Sequence, residues 1–240
     1  MDAAALTEDI YTVIRIPATS PRIDELVTRF REVKLAALKA DPTAFLNYEV
    51  ESKHPAPVWK DRLDAKFAYL VCVKTTDPDL SPEDALLSGD WAGYSAVRER
   101  VSIEEYYAHE DMGQPVPDHP ELETRWHIYD LYTMPAHRGR NVAKKLIDGC
   151  IALVERAIAT DGADSRRARI RLMVNPANVW LVKWYGKFGF KDSGMATLRQ
   201  GFTANGWENS VPANSREVEE LRNKWEKPYG LIMEVTLDAA

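Results

Sequence analysis

The stretch from Arg125 to Lys187 constrains the fold more than any other part of the chain. Arg125 to Met134 reads as a strand. Residues 138–160 place Val142, Leu146, Ile147, Cys150, Ile151, Val154 and Ile158 on one helical face, and Ala168 to Val174 alternates cleanly. Pro176 to Lys187 again has helical spacing, and Gly189 ends it. A βαβα run of this kind buries its apolar faces only against a sheet. The rest of the chain supplies one. Ile10 to Ile16, Phe67 to Val73, Trp91 to Val97, Met195 to Leu198 and Tyr229 to Leu237 read as further strands. Ser20-Pro21 opens a helix with apolar positions from Ile23 to Leu38. A second helix is expected over about 43–51, and a third, short one around Trp59 and Leu63. Thr75 to Asp90 reads as a polar loop. These patterns predict an α/β (α+β) chain with one mixed sheet of six to seven strands and helices on both faces. They fit a single domain, 1–240, with insertions at about 102–124 and 200–227.

Composition excludes several classes. Of the 240 residues, 45% are apolar and only 2 are Cys, so no disulfide framework is available. Cys72 and Cys150 fall on apolar faces and read as buried small hydrophobes. No apolar run approaches the length of a membrane span, and the first nine residues lack a secretory pattern. A reduced, cytoplasmic protein is expected. The formal charge is −6. Between His137 and Lys191, however, 12 basic residues face 4 acidic ones, which leaves −14 on the remainder. Such a chain is a poor nucleic-acid binder and suits one anionic ligand held in one place.

That place is the turn after the strand at Arg125 to Met134. Pro135 ends the strand, and Arg138-Gly139-Arg140-Asn141-Val142-Ala143 leads into the long helix. Backbone N–H groups at a helix start are unpaired, and with the dipole behind them they receive phosphate oxygens. Gly139 permits close approach, Ala143 is small, and Arg138 and Arg140 add charge. The plainer alternative is a turn bearing two solvated arginines. A P-loop and a dinucleotide fingerprint are both disfavoured by spacing.

The segment resembles the acyl-CoA-binding motif of the GNAT superfamily, the Gcn5-related N-acetyltransferases: Gln/Arg-x-x-Gly-x-Gly/Ala after a strand ending in Pro. Arg138 and Ala143 stand at its first and last positions. Asn141 replaces the middle glycine, and Asn is the next residue most at ease with positive φ. Downstream, Asn178, Tyr185, Gly189 and Phe190 match the family's Asn-x₆-Tyr-x₃-Gly-Phe signature. The segment Leu35 to Phe45 resembles the first helix of many small-molecule acetyltransferases.

The resemblance implies acetyl transfer from acetyl-CoA to an amine, with no metal. It implies that Tyr185 protonates the departing sulfur. The backbone at Leu131, Tyr132 and Thr133 then holds the pantetheine arm, the 138–143 turn the pyrophosphate, and Asn178 a further part of the cofactor. His127 stands where some members carry a general base; it shares a strand face with Tyr129, Leu131 and Thr133. Glu49, Glu51, His109 and Glu110 are rival bases, and Tyr129, Glu49 and Glu110 are candidate acceptor contacts. Arg166, Arg167, Arg169 and Arg171 are candidates for the 3′-phosphate or a solvated strand edge. The expected acceptor is a small-molecule amine, without nucleic acid or membrane, acted on by a monomer or homodimer. Protein lysine or N-terminal acetylation, or a non-catalytic acyl-CoA-binding module, are the alternatives.

Overall fold

The structure is a computed structural model that describes residues 9–42, 48–64, 66–107, 110–160 and 167–238. Its strands are β1 (Ile10–Arg15), β2 (Phe67–Thr75), β3 (Asp90–Arg98), β4 (Glu123–Thr133), β5 (Arg167–Val174), β6 (Lys191–Thr197) and β7 (Pro228–Asp238). They form the expected mixed sheet, seven strands in the order β1-β2-β3-β4-β5-β7-β6. The helices are α1 (Ile23–Ala40), α2 (Tyr48–Glu51), α3 (Ala56–Asp61), α4 (Pro82–Ser88), α5 (Ile103–Tyr106), α6 (Val142–Thr160), α7 (Val179–Gly186), α8 (Leu198–Ala204) and α9 (Glu219–Trp225). Among the described residues, no helix is long and apolar enough to cross a membrane.

The chain divides into two compact units. One holds residues up to Val97 together with Asp130–Ile151; the other holds Arg98–Tyr129 and Ala152 onward. In the first unit β1 and β2 pair antiparallel from Ile10↔Thr75 to Arg15↔Leu70. Successive strand residues face opposite sides, and β3 shows what covers each. Tyr94 lies under the Lys34 ammonium of α1, 4.8 Å from its ring centroid. Gly93 faces α6. A Cβ there would stand 2.5 Å from the Tyr132 carbonyl oxygen and 2.8 Å from Val142, so only glycine lets β4 and α6 approach this closely. Helices therefore cover both faces here. Cys72 and Cys150 are both fully buried.

In the second unit, β4 pairs in parallel with β5 from Glu123↔Arg167 to His127↔Arg171. Antiparallel β7 joins β5 from Arg167↔Asp238 to Val174↔Leu231 and also pairs with β6. The segment after β6 folds back as α8 and α9 and packs through Phe202 and Trp225, whose rings meet edge-on at 4.9 Å.

Several boundaries differ from the sequence expectation. The stretch 75–90 is not all loop: Ser81 caps α4 by accepting from the Asp84 N–H, with Pro82 just inside. The long helix begins at Val142 rather than Arg138, because Gly139 and Asn141 take φ of 80° and 59°. β6 starts earlier than expected, and Leu198 opens α8 behind a Thr197–Gln200 capping box. Residues 43–47 of the expected second helix lie outside the described residues.

Candidate active site

In the first unit, β4 delivers Leu131, Tyr132 and Thr133 to a one-turn 3₁₀ helix, Pro135–His137, and then to the turn 138–141. The Met134 N–H donates to the Ala92 carbonyl at 2.9 Å and anchors the exit to β3. Arg138, Gly139, Arg140 and Asn141 are exposed, whereas Val142 is buried. Arg138 and Arg140 donate their N–H groups backward within the turn, to Pro135 and His137. Among the described residues, the N–H groups of Gly139, Asn141, Val142 and Ala143 meet no protein acceptor. A Cβ at Gly139 would meet nothing within 4 Å. Four unpaired donors, open space and two cationic side chains at the head of a 19-residue helix fit a pyrophosphate. Asn141 adopts the positive φ that a middle glycine would.

One step back on β4, Asp130 holds a φ of 60° in mid-strand. This interrupts the simple alternation expected from Tyr129 to Thr133. Its carboxylate accepts from the Lys34 ammonium at 2.5 and 2.6 Å, and the Tyr69 hydroxyl approaches at 3.5 Å. Lys34 is 1% exposed. Burial pushes its pKa down, and Asp130 opposes the shift. Nothing in the sequence joins these two residues, although Lys34 stands on the apolar stripe of α1 between Phe30 and Leu38.

In the second unit, His127 and Tyr129 lie together, their rings stacked at 5.7 Å. Trp207 meets Tyr129 edge-on at 5.3 Å, and the Asn205 Oδ1 lies 2.8 Å from His127 Nε2. The segment after β6 thus covers this face, a role visible beforehand only as an aromatic-rich insertion. A general base at His127 calls for an imidazole near its ordinary value of about 6.5. Burial, then the neighbouring Arg171 charge, pushes it down to about 3. Such a group is neutral at pH 7 and is a weak acceptor for an ammonium proton.

Tyr185 is buried on α7, its ring edge-on to Trp184 at 5.1 Å and to Phe190 at 6.0 Å. Asn178 caps the same helix, its Oδ1 accepting from the Leu181 N–H at 3.1 Å. The basic residues of β5 are engaged within the protein. Arg167 pairs with Asp238 and Arg169 with Glu123, while the buried Arg171 donates to the Tyr106 carbonyl and Gln114 Oε1. These contacts do not suit a 3′-phosphate site. Glu49 is exposed on α2, and Glu51 is buried against Arg62 at 2.6 Å, which ties it up as a base. His109, Arg166 and the side chain of Glu110 lie outside the described residues. Among those described, no group of three or more His, Cys, Asp or Glu is placed to hold a metal.

Residues 77–208 match the acetyltransferase (GNAT) domain family. No curated protein matches the chain. In fold, the chain is similar to Arabidopsis thaliana NAA60 in complex with acetyl-CoA (10% identity, TM-score 0.51, 96% of this chain and 99% of that one). The same plant protein with a bisubstrate analogue gives 12% identity and a TM-score of 0.52, over 95% and 100% of the two chains. The ribosomal-protein-S18-alanine N-acetyltransferase of Escherichia coli gives 10% and 0.50, over 96% of each. At these identities the likeness is one of fold. The family match spans more than half of the sequence, carries the strand, turn and helix described above, and establishes that the chain belongs to the GNAT acetyltransferase family.

Proposed function

We propose that the protein moves the acetyl group of acetyl-CoA to an amine of a small molecule, by direct attack in a ternary complex. The observation that carries this is the set of unpaired N–H groups at Gly139, Asn141, Val142 and Ala143, flanked by Arg138 and Arg140. They receive the pyrophosphate. Backbone groups of Leu131, Tyr132 and Thr133 hold the pantetheine arm, and an N–H there polarises the thioester carbonyl. Asn178 contributes to cofactor binding beside its capping role.

The neutral acceptor nitrogen attacks the carbonyl carbon, gives up one N–H proton to solvent as the amide forms, and the C–S bond breaks. The Tyr185 hydroxyl donates a proton to the departing sulfur, whose pKa as a thiol is roughly 8.5, and regains its own proton from solvent. A primary alkylamine with a pKa of about 10.4 is neutral in only about one molecule per thousand at pH 7.4. With His127 so weakly basic, the acceptor sheds its proton to solvent, and kcat/KM rises toward the pKa of the amine rather than through 6.5. His127 and Tyr129 are buried beneath Asn205 and Trp207 and back the acceptor site from within rather than touching the acceptor.

Asn205 and Trp207 close over His127 and Tyr129. That cover favours a compact acceptor over an extended peptide. The S18-alanine enzyme acts on a protein, and an N-terminal amine is the second acceptor class to consider. Titration with acetyl-CoA and with acetyl-pantetheine, which lacks the pyrophosphate, tests the cofactor assignment. Acetyl-CoA binding at least a hundredfold tighter is expected; equal affinities would remove the turn from the site.

A further inference from the structure

His137 is 6% exposed although Ala136 and Arg138 on either side of it are exposed. Its ring is held at both nitrogens within the first unit. The Tyr11 hydroxyl of β1 lies 3.1 Å from Nδ1, and Asp90 Oδ2, at the first residue of β3, lies 3.0 Å from Nε2. The Tyr11 ring also meets the imidazole edge-on at 5.8 Å. A neutral imidazole satisfies both contacts at once: Nε2–H donates to the carboxylate, and the tyrosine hydroxyl donates to Nδ1. The main chain of the same residue closes the turn. Its N–H donates to the Met134 carbonyl at 2.9 Å, and its carbonyl accepts from the Arg140 N–H at 3.3 Å. His137 therefore ties two strands to the backbone that leads directly into Gly139 and Asn141, the two residues of the turn with positive φ.

We propose that His137 is a positioning residue for the acetyl-CoA reaction. Through the Tyr11–His137–Asp90 link it holds the N–H groups from Gly139 to Ala143 in the orientation that receives an anion, so that cofactor affinity depends on it more than the chemical step does. The proposal rests on the assignment of the turn to acetyl-CoA. Hydrogen bonds weaken steeply as their angle falls, and donors fixed beforehand lose no freedom on binding. Removing the imidazole leaves the sequence of the turn intact but frees its backbone.

The test is calorimetric titration of acetyl-CoA into the full chain, with KM and kcat measured in parallel. His137→Ala is expected to weaken acetyl-CoA binding about ten- to a hundredfold, with KM rising in step and kcat changing far less. Tyr11→Phe removes one neutral hydrogen bond and is expected to weaken binding about two- to tenfold. Adding it to His137→Ala brings no further loss, because both break the same link. His137→Gln, which keeps a donor and an acceptor, recovers part of the affinity. A merely structural role would lower the melting temperature of the free protein and leave the affinity of the folded protein unchanged, which overturns the proposal. If His137→Ala does not fold, Tyr11→Phe and Asp90→Ala decide in its place, and unchanged affinity in both is the contrary result. Gly139→Asp separates the two claims. Lost affinity there with unchanged affinity in the link variants overturns the role of His137 alone; unchanged affinity in Gly139→Asp overturns the turn assignment itself.

Discussion

Gly139 separates what the fold needs from what the cofactor needs. Its φ is 80°, and a Cβ there meets nothing within 4 Å. The cost of a side chain to the fold is backbone strain, about 1–2 kcal/mol for an L residue in the left-handed region. Gly139→Ala and Gly139→Asp should therefore fold, with melting temperatures lowered by about 2–8 °C at 2–4 °C per kcal/mol. The same open space adjoins the four unpaired N–H groups, and aspartate brings a negative charge to it. At about 5 Å, two unit charges repel by about 1 kcal/mol in bulk water and about 3 kcal/mol at an effective dielectric of 20. Two pyrophosphate charges make that about 2–6 kcal/mol, a loss of affinity of about thirtyfold to more than ten-thousandfold. With acetyl-CoA at a hundred times the wild-type Kd, the wild type gains about 2.7 kcal/mol, and a thirtyfold loss leaves under about 1 kcal/mol. Differential scanning calorimetry with and without acetyl-CoA reads this directly. Part of the Gly139→Asp defect should fade at high salt, whereas any Gly139→Ala defect should not. A full acetyl-CoA shift in Gly139→Asp would refute the reasoning.

Tyr185→Phe keeps the ring against Trp184 and Phe190. Its kcat should fall about ten- to a thousandfold with little change in KM; full kcat in a chemistry-limited regime excludes the acid role. The imidazole of His127, pushed down to about 3, binds its proton more weakly in the folded chain than in the unfolded one. Its contribution to stability is complete above pH 6.5 and is lost as pH falls from there toward 3. Between pH 7 and pH 5, urea unfolding of the wild type should therefore lose about 2 kcal/mol more than that of His127→Gln; equal losses would show an ordinary imidazole. Lys34→Met leaves the Asp130 carboxylate without its buried partner and should cost about 3–5 kcal/mol, with partial recovery in Lys34→Met/Asp130→Asn. Thermal melts check it, and a neutral Lys34→Met would mean that water already satisfies Asp130.

Much of the sheet was legible because its strands are apolar or alternate strictly, as in Ala168–Val174, and because α6 carries a continuous apolar stripe. Short capped helices were not. The stretch 75–90 is polar overall, so α4 is announced only by Ser81-Pro82 and two acids. α8 is announced by Thr197 and Gln200, three residues apart. The turn shows in the sequence as Gly139 and Asn141, two residues at ease with positive φ, but spacing alone does not reveal φ, and the helix is expected to start too early. Pairings remote in sequence were beyond reach. Lys34 and Asp130 are 96 residues apart, and His137 finds Tyr11 126 residues away. The depressed pKa of His127 likewise depends first on its burial and then on Arg171, brought beside it by the β4–β5 register.

Acetyl transfer to a small amine is the activity proposed for this chain. Release of free thiol from acetyl-CoA, measured across a panel of small primary amines and N-terminal peptides with mass detection of the acetylated product, tests it most directly. One or more small amines should release CoA one-for-one with N-acetylated product, at a kcat/KM above that of any peptide. Acetylation of peptides alone would contradict the small-molecule acceptor, and no release with any amine would contradict transfer itself.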